Sequence, residues 1–210
     1  MELKILYSDE HIVVCQKPVG IVSEETADRS GLADLLRSAP TDYIGVVHRL
    51  DRGVGGVMVY AKSKTAAAKL SAAVQAHTFR KEYLAVVHGV PTPAEGRMTD
   101  LLFHDRFKNK TFVVDRARNG VKEAILDYEV IKTVDHTTYG TVSLLRIALQ
   151  TGRTHQIRVQ TSSRGMPLVG DGKYGARDRS DIMLFCRKLT FPHPKTGKIL
   201  TFSAEPDWEL

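Results

Sequence analysis

The 210 residues predict an α+β fold: one compact domain, residues 1–210, around a mainly antiparallel, mixed β-sheet flanked by helices. Three observations predict it. Strand-like runs far outnumber helical ones. Between 124 and 134, Asp127, Glu129 and Lys132 fall between apolar residues, the two-residue period of a half-buried antiparallel strand. Hydrophobic residues at 42% and charged residues at 26% are ordinary for a chain that buries a core, and they argue against disorder.

The elements follow in order. Lys4–Tyr7 and Ile12–Cys15 read as a short β unit broken by Asp9-Glu10 and closed by a Lys-Pro-Val-Gly turn at 17–20. Ser30-Gly31 opens a short helix over 31–38, ended by Pro40. Residues 44–47 and 56–61 are strand-like. Ser63 caps an Ala-rich helix over 64–76 with Ala67, Leu70, Ala73 and Val74 on one face. Strands are expected at 82–88, 111–114, 124–134 and 139–149, with Pro91 and Pro93 as punctuation. A helix over 155–163 follows the Thr151-Gly152 turn. Late strands at 183–186 and 199–202 are joined through Pro192, Pro194 and Gly197.

Composition narrows the function. Cys15 and Cys186 cannot build a disulfide framework and no C-x-x-C occurs, which favours a reducing, cytoplasmic setting. The N-terminus MELKILYSDEHIVV has no basic region followed by a long apolar run, so no signal peptide is expected. No apolar stretch approaches the roughly 18 residues of a membrane span, so no membrane partner is expected. Lys and Arg number 30 against 24 Asp and Glu, and the excess is uneven. Residues 151–200 hold ten cations and three acids, whereas residues 1–150 hold 20 and 18. A basic stretch of that kind suits a polyanion, usually nucleic acid.

Several familiar motifs fail. Gly53-Val54-Gly55-Gly56 would need a glycine at 58 to bind a dinucleotide, and Met58 stands there. Lys173 precedes Tyr174 and Lys198 precedes Ile199, so no phosphate loop ends in G-K-[ST]. No H-E-x-x-H occurs and the eight histidines show no metal spacing. These residues therefore give no metal or nucleotide motif.

Three segments remain. His48-Arg49-Leu50-Asp51-Arg52 puts one acid between two arginines ahead of a glycine turn and an apolar strand. Cations so placed keep a carboxylate ionised. Lys81-Glu82-Tyr83-Leu84-Ala85-Val86-Val87 reads as an amphipathic strand. Thr151-Gly152-Arg153-Thr154-His155-Gln156-Ile157-Arg158 flanks a turn and a helix start with two arginines, a place for phosphate or carboxylate. Read singly, each has a structural alternative: a surface ion-pair cluster, a packed tyrosine, a basic surface helix.

Together these segments resemble the RluA-type pseudouridine synthases. The first is similar to that family's H-R-L-D-R-x-T-S-G signature. The second resembles its K-x-Y-x-A-x-V strand and the third its T-G-R-x-H-Q-I-R stretch. Residues 165–175, Gly-Met-Pro-Leu-Val-Gly-Asp-Gly-Lys-Tyr-Gly, resemble G-x-P-[IL]-x-G-D-x-x-Y-G, and residues 189–197 resemble L-x-F-x-H-P-x-T-G. The likeness runs from about Ile5 to about Asp207. Two stretches depart from the pattern. Val54-Gly55 stands where the family has Thr-Ser, and Leu184-Phe185-Cys186 where it has Leu-His-Ala.

The resemblance implies a pseudouridine-synthase-like fold and isomerisation of a specific uridine in structured RNA, either transfer or ribosomal. That reaction requires no metal and no cofactor, which agrees with the motifs that fail. It makes Asp51 the essential carboxylate, sets Arg158 against it in a salt bridge, and packs Tyr83 on the uracil. His48, Arg49, Arg52, Arg153, His155 and Gln156, in the same motifs, are expected to bind the substrate. Asp171 is read as a loop-ordering residue. The chain is expected to work as a monomer without the separate N-terminal RNA-binding domain that many relatives carry. Two other classes compete. A non-catalytic RNA-binding module would account for the charge but not for Asp51, Tyr83 and Arg158 at the motif positions. A glycoside hydrolase would need two carboxylates flanking the bond, and only Asp51 lies in a signature.

Overall fold

The computed structural model describes residues 3–25, 30–37 and 42–210. Their order is β1 (Ile5–Ser8), β2 (Ile12–Lys17), α1 (Leu32–Leu35), β3 (Gly45–Val46), β4 (Gly55–Ala61), α2 (Lys64–Gln75), β5 (Arg80–His88), β6 (Glu95–Asp105), β7 (Lys110–Val114), β8 (Val121–His136), β9 (Gly140–Leu149), α3 (Gln156–Ser162), a 3-10 turn at Gly172–Tyr174, β10 (Leu184–Pro192) and β11 (Ile199–Ser203). The chain divides into two compact units, Met1–Lys81 with Phe185–Asp207 and Glu82–Leu184 with Trp208–Leu210.

In the first unit the strands run β1-β2-β4-β10, with β3 on β4 and β11 on β10. All seven residues of β4, GGVMVYA, are buried. A continuous apolar run must be covered on both faces, so it becomes a central strand. β2 flanks it antiparallel, with Cys15 opposite Met58 and Lys17 opposite Gly56. β10 flanks it parallel, with Phe185 opposite Gly55 and Cys186 opposite Gly56. Gly56 is obligatory there. Its φ is +129°, and a Cβ would stand 2.4 Å from the Cys186 carbonyl oxygen. α2 begins as the sequence predicts, with the Ser63 hydroxyl accepting from the Ala66 N–H at 3.1 Å. Its buried face is Ala66, Leu70 and Ala73. Both cysteines are free and buried, and burial pushes the Cys15 thiol up to about 12.

In the second unit the order is β5-β9-β8-β6-β7. Leu102 on β6, Ala124 on β8, Val159 on α3 and Tyr174 form one apolar cluster, which seats the helix on the sheet. Val86, Val142 and Val169 form a second, with Trp208 and Leu210 packed against it. The alternation in β8 carries a bulge. The register with β9 shifts between Val130 and Lys132, so Ile131 is the extra residue. That is why an even-numbered Lys132 continues the polar rhythm of Asp127 and Glu129.

The predicted strands and helices are present, with changed bounds. The strand expected at 183–186 runs on to Pro192. The strand expected at 124–134 begins at Val121 and ends at His136. The first helix is a single turn, and its predicted end at Pro40 lies outside the described residues. β6 has no counterpart in the sequence reading. EGRMTDLLFHD has weak strand propensity, and it is a strand because Met98 and Leu102 find cover in the core while both edges are paired, to β7 and β8.

The Gly56 contact is testable. Gly56→Ala is expected to lower unfolding stability by about 3 kcal/mol or more, through strain and the forced parting of β4 and β10. Gly172→Ala meets nothing within 4 Å and is expected to change it by no more than about 1 kcal/mol. Urea unfolding of both variants checks the pair.

Candidate active site

The Asp51 loop joins β3 to β4 and is pinned on both sides of the acid. The buried Ser23 hydroxyl donates to the Leu50 carbonyl at 2.8 Å and accepts from the Leu50 N–H at 3.0 Å. Tyr60 holds Ser23 in turn, donating from its hydroxyl to the Ser23 carbonyl at 2.8 Å. The Asp51 carbonyl accepts from the Val54 N–H at 2.9 Å, which closes the Asp-Arg-Gly-Val turn into β4.

The Lys17-Pro-Val-Gly turn is laced to this loop. Gly20 N–H donates to the Arg52 carbonyl at 2.8 Å, and Arg52 Nε donates back to the Gly20 carbonyl at 3.0 Å. Beneath them lies Lys17, fully buried. Its Nζ donates to the carbonyls of Pro18 at 2.9 Å, Ile21 at 2.7 Å and Arg52 at 3.4 Å. Burial pushes the Lys17 ammonium down to about 8, and the negative charge of Asp51 acts in the opposite sense. The sequence reading used Lys17 only as a turn residue. Its one signal is a lysine closing the apolar run Ile-Val-Val-Cys-Gln-Lys.

The other residues of this loop separate by depth. Arg49 is exposed and pairs with Glu24 at 2.6 Å. His48, expected to bind substrate, is buried, and its Nε2 accepts from the Val59 N–H at 3.1 Å. That bond places the proton of a neutral ring on Nδ1. Burial holds the His48 imidazole well below its ordinary value, and the charge of Lys81 acts the same way.

The departures at 55 and 185 are one packing solution. The Phe185 ring lies where a side chain at 55 would be: a Cβ there would stand 3.2 Å from the ring and 3.4 Å from the Lys17 carbonyl. The glycine in β4 and the phenylalanine in β10 thus pack directly against each other.

In the second unit Tyr83 is buried on β5 and Arg158 is buried on α3. Arg158 donates from Nε and Nη2 to the two carboxylate oxygens of Asp171, at 2.7 and 2.8 Å. A planar fork on a buried carboxylate fixes both groups. Its guanidinium also stands 5.1 Å over the Tyr174 ring. The Tyr174 hydroxyl accepts from the Thr111 N–H at 2.8 Å and meets His155 Nδ1 at 2.9 Å. His155 has φ +53°, a left-handed conformation rare outside glycine, at the head of α3. Gln156 works inside the loop: its Oε1 accepts from the Thr151 hydroxyl and the Arg153 N–H, and its Nε2 donates to Ile125. Arg153 Nε donates to the Glu123 carbonyl at 2.8 Å.

A family profile described as RNA pseudouridylate synthase matches residues 11–163. The chain belongs to the RNA pseudouridylate synthase family. It is 40% identical over 220 residues to the ribosomal large subunit pseudouridine synthase D of Pseudomonas aeruginosa, covering 94% of this chain and 66% of that protein. It is 33% identical over 214 residues to the dual-specificity RNA pseudouridine synthase RluA of Escherichia coli, covering 98% of this chain and 94% of that protein. Human RNA pseudouridylate synthase domain containing 1 has the same fold, with a TM-score of 0.82 at 22% identity over 98% of this chain and 84% of its own. The resemblance read from the motifs is thus borne out. Membership of an isomerase family supports the catalytic reading over a binding module on the same scaffold.

Two outcomes test the loop. Lys17→Met removes a fully buried ammonium and the donor it supplies to the Pro18 and Ile21 carbonyls, and is expected to cost about 2 kcal/mol or more of stability. Urea unfolding checks this effect. The second outcome concerns His48. Its folded-state pKa lies below the ordinary 6.5, so the unfolded chain binds the extra proton first and stability falls as pH drops through that value. Unfolding midpoints measured from about pH 7 to about pH 5 are expected to fall, less steeply in His48→Gln.

Proposed function

We propose that this protein isomerises a specific uridine of structured RNA to pseudouridine, with Asp51 as the essential carboxylate. The observation that carries the reading is the Asp51 loop itself, braced by a buried ammonium on the Arg52 carbonyl and bonded at the residues on either side of the acid. Such a loop presents a carboxylate with little freedom to turn away from its target.

The reaction breaks the bond between uracil N1 and ribose C1′. The base turns, C5 joins C1′, the C5 proton leaves, and N1 takes up one proton in its place, from C5 or from solvent. No electron is gained or lost overall and no phosphoryl group moves. Asp51 acts at the first stage by adding to the sugar, adding to the ring or removing a sugar proton. Tyr83 is assigned to the uracil face, where an aromatic ring holds a detached base. Arg158 is assigned the cationic role beside the reacting carboxylate, on a guanidinium whose plane Asp171 already fixes. Arg49, exposed in the motif, is assigned to the flipped nucleotide, because a base must leave its stack to be reached. His48, Arg52, Arg153, His155 and Gln156 shape the two loops that present these groups.

The same proposal covers the setting. The chain acts as a single catalytic domain and a monomer in the cytoplasm, without metal or cofactor. The relatives' names support RNA as the substrate, since one is named for the large ribosomal subunit and the other for dual specificity on RNA.

Asp51→Asn keeps shape and removes charge. It is expected to lower tritium release from RNA labelled at uracil C5 by roughly a thousandfold or more while leaving RNA affinity near that of the wild type. Activity remaining within about tenfold would remove Asp51 from the reaction.

A further inference from the structure

The β6–β7 hairpin carries a feature that the isomerisation chemistry leaves unused. Its tip puts Phe107 wholly in solvent, at 104% relative exposure, whereas the other exposed large apolar side chains reach 59% at most. One exposed apolar side chain is ordinary. The company of this one is not. Residues 105–122 hold six cations, Arg106, Lys108, Lys110, Arg116, Arg118 and Lys122, against two acids, Asp105 and Asp115.

The tip is braced although the ring is unpacked. Asp105 Oδ1 accepts from the Phe107 and Lys108 N–H groups, each at 3.0 Å. Asn109, with φ +43°, donates its N–H to the Arg106 carbonyl at 3.3 Å. Lys173 Nζ donates to the Asn109 carbonyl at 3.0 Å. Other rings of the hairpin already carry cations. Lys108 and Lys110 stand 6.0 and 5.9 Å from the Phe112 centroid, and Arg118 stands 5.0 Å from that of Phe103. Phe107 has no such neighbour among the described residues, so both faces of its ring are open.

An open ring on a fixed turn, with cations on either side, meets two needs of an unpaired nucleotide: a face for the base and positive charge for its phosphates. An uninterrupted duplex offers phosphates alone, because its bases are already stacked. We propose that the 105–110 tip is an RNA contact that stacks an unpaired base on Phe107 while Arg106, Lys108 and Lys110 hold the neighbouring phosphates. This rests on the RNA-directed reading above and deepens it: the substrate carries a looped or unpaired segment within reach of this hairpin.

The test compares two fluorescent RNAs, a stem-loop with an unpaired uridine-rich loop and the same stem closed as a continuous duplex. Phe107→Ala is expected to weaken stem-loop binding about tenfold or more and duplex binding no more than about twofold. Arg106→Gln with Lys108→Gln is expected to weaken both and to lower the slope of log affinity against log salt by about 0.7 for each cation removed. In Phe107→Trp, the emission added to that of Trp208 is expected to be quenched by the stem-loop and not by the duplex. Because the ring is unpacked, the thermal midpoint of Phe107→Ala should match the wild type, which separates lost contact from lost fold. Stem-loop binding unchanged by Phe107→Ala, or reduced equally for both RNAs, overturns the proposal; the unchanged case would return the tip to contact with an acidic protein segment. Wild-type protein that binds the stem-loop through Phe107 yet forms no pseudouridine in extracted cellular RNA would sink the isomerase reading and leave this one standing.

Discussion

The Asp51 loop depends on one buried ammonium. Lys17 is taken out of water, which costs several kcal/mol for an unpaired ion. Three carbonyls, from Pro18, Ile21 and Arg52, and the charge of Asp51 offset that cost. The geometry follows. A donor bonded to the turn after β2 and to the loop before β4 ties two segments that lie far apart in sequence. The reciprocal bonds of Gly20 and Arg52 and the Ser23 clamp on Leu50 close the remaining freedom. Tied at these points, the backbone on either side of Asp51 has little freedom left.

The strand behind the loop is equally constrained. β4 meets β10 in parallel where two glycines allow it, one because its backbone is left-handed and crowded by Cys186, the other because Phe185 occupies its side-chain space. The replacement of the family's Thr-Ser by Val54-Gly55 therefore reads as repacking behind the acid. Val54 is buried and its N–H still closes the Asp51 turn.

Charge on the page and charge in the fold differ. The basic 151–200 segment suggests an RNA face, yet its arginines are partly committed within the protein. Arg158 pairs with Asp171, Arg164 with Asp100 and Arg187 with Glu205. Pairing removes much of the field such cations would offer a phosphate. The hairpin at 105–110 does not stand out in the sequence, although its cations are exposed or half-buried and only Asp105 and Asp115 oppose them locally. A count over fifty residues locates excess charge and says nothing of which side chains face water.

The sequence by itself determined the fold class, most strands and the capped helix after Ser63, because these rest on local periodicity, propensity and turn chemistry. It also determined the family, because Asp51, Tyr83 and Arg158 lie in motifs whose order and spacing are linear properties of the chain. Tertiary structure decided the rest. β6 is a strand through burial and pairing rather than propensity. Lys17 is a loop anchor because the carbonyls of its own turn and that of Arg52, from a separate segment, converge on it, His48 is a neutral core group because Val59 donates to it, and Asp171 is the buried partner of Arg158. Each of these depends on which atoms from separate segments meet out of water. Desolvation and hydrogen-bond partnership are set by that meeting, and no window of neighbouring residues encodes it.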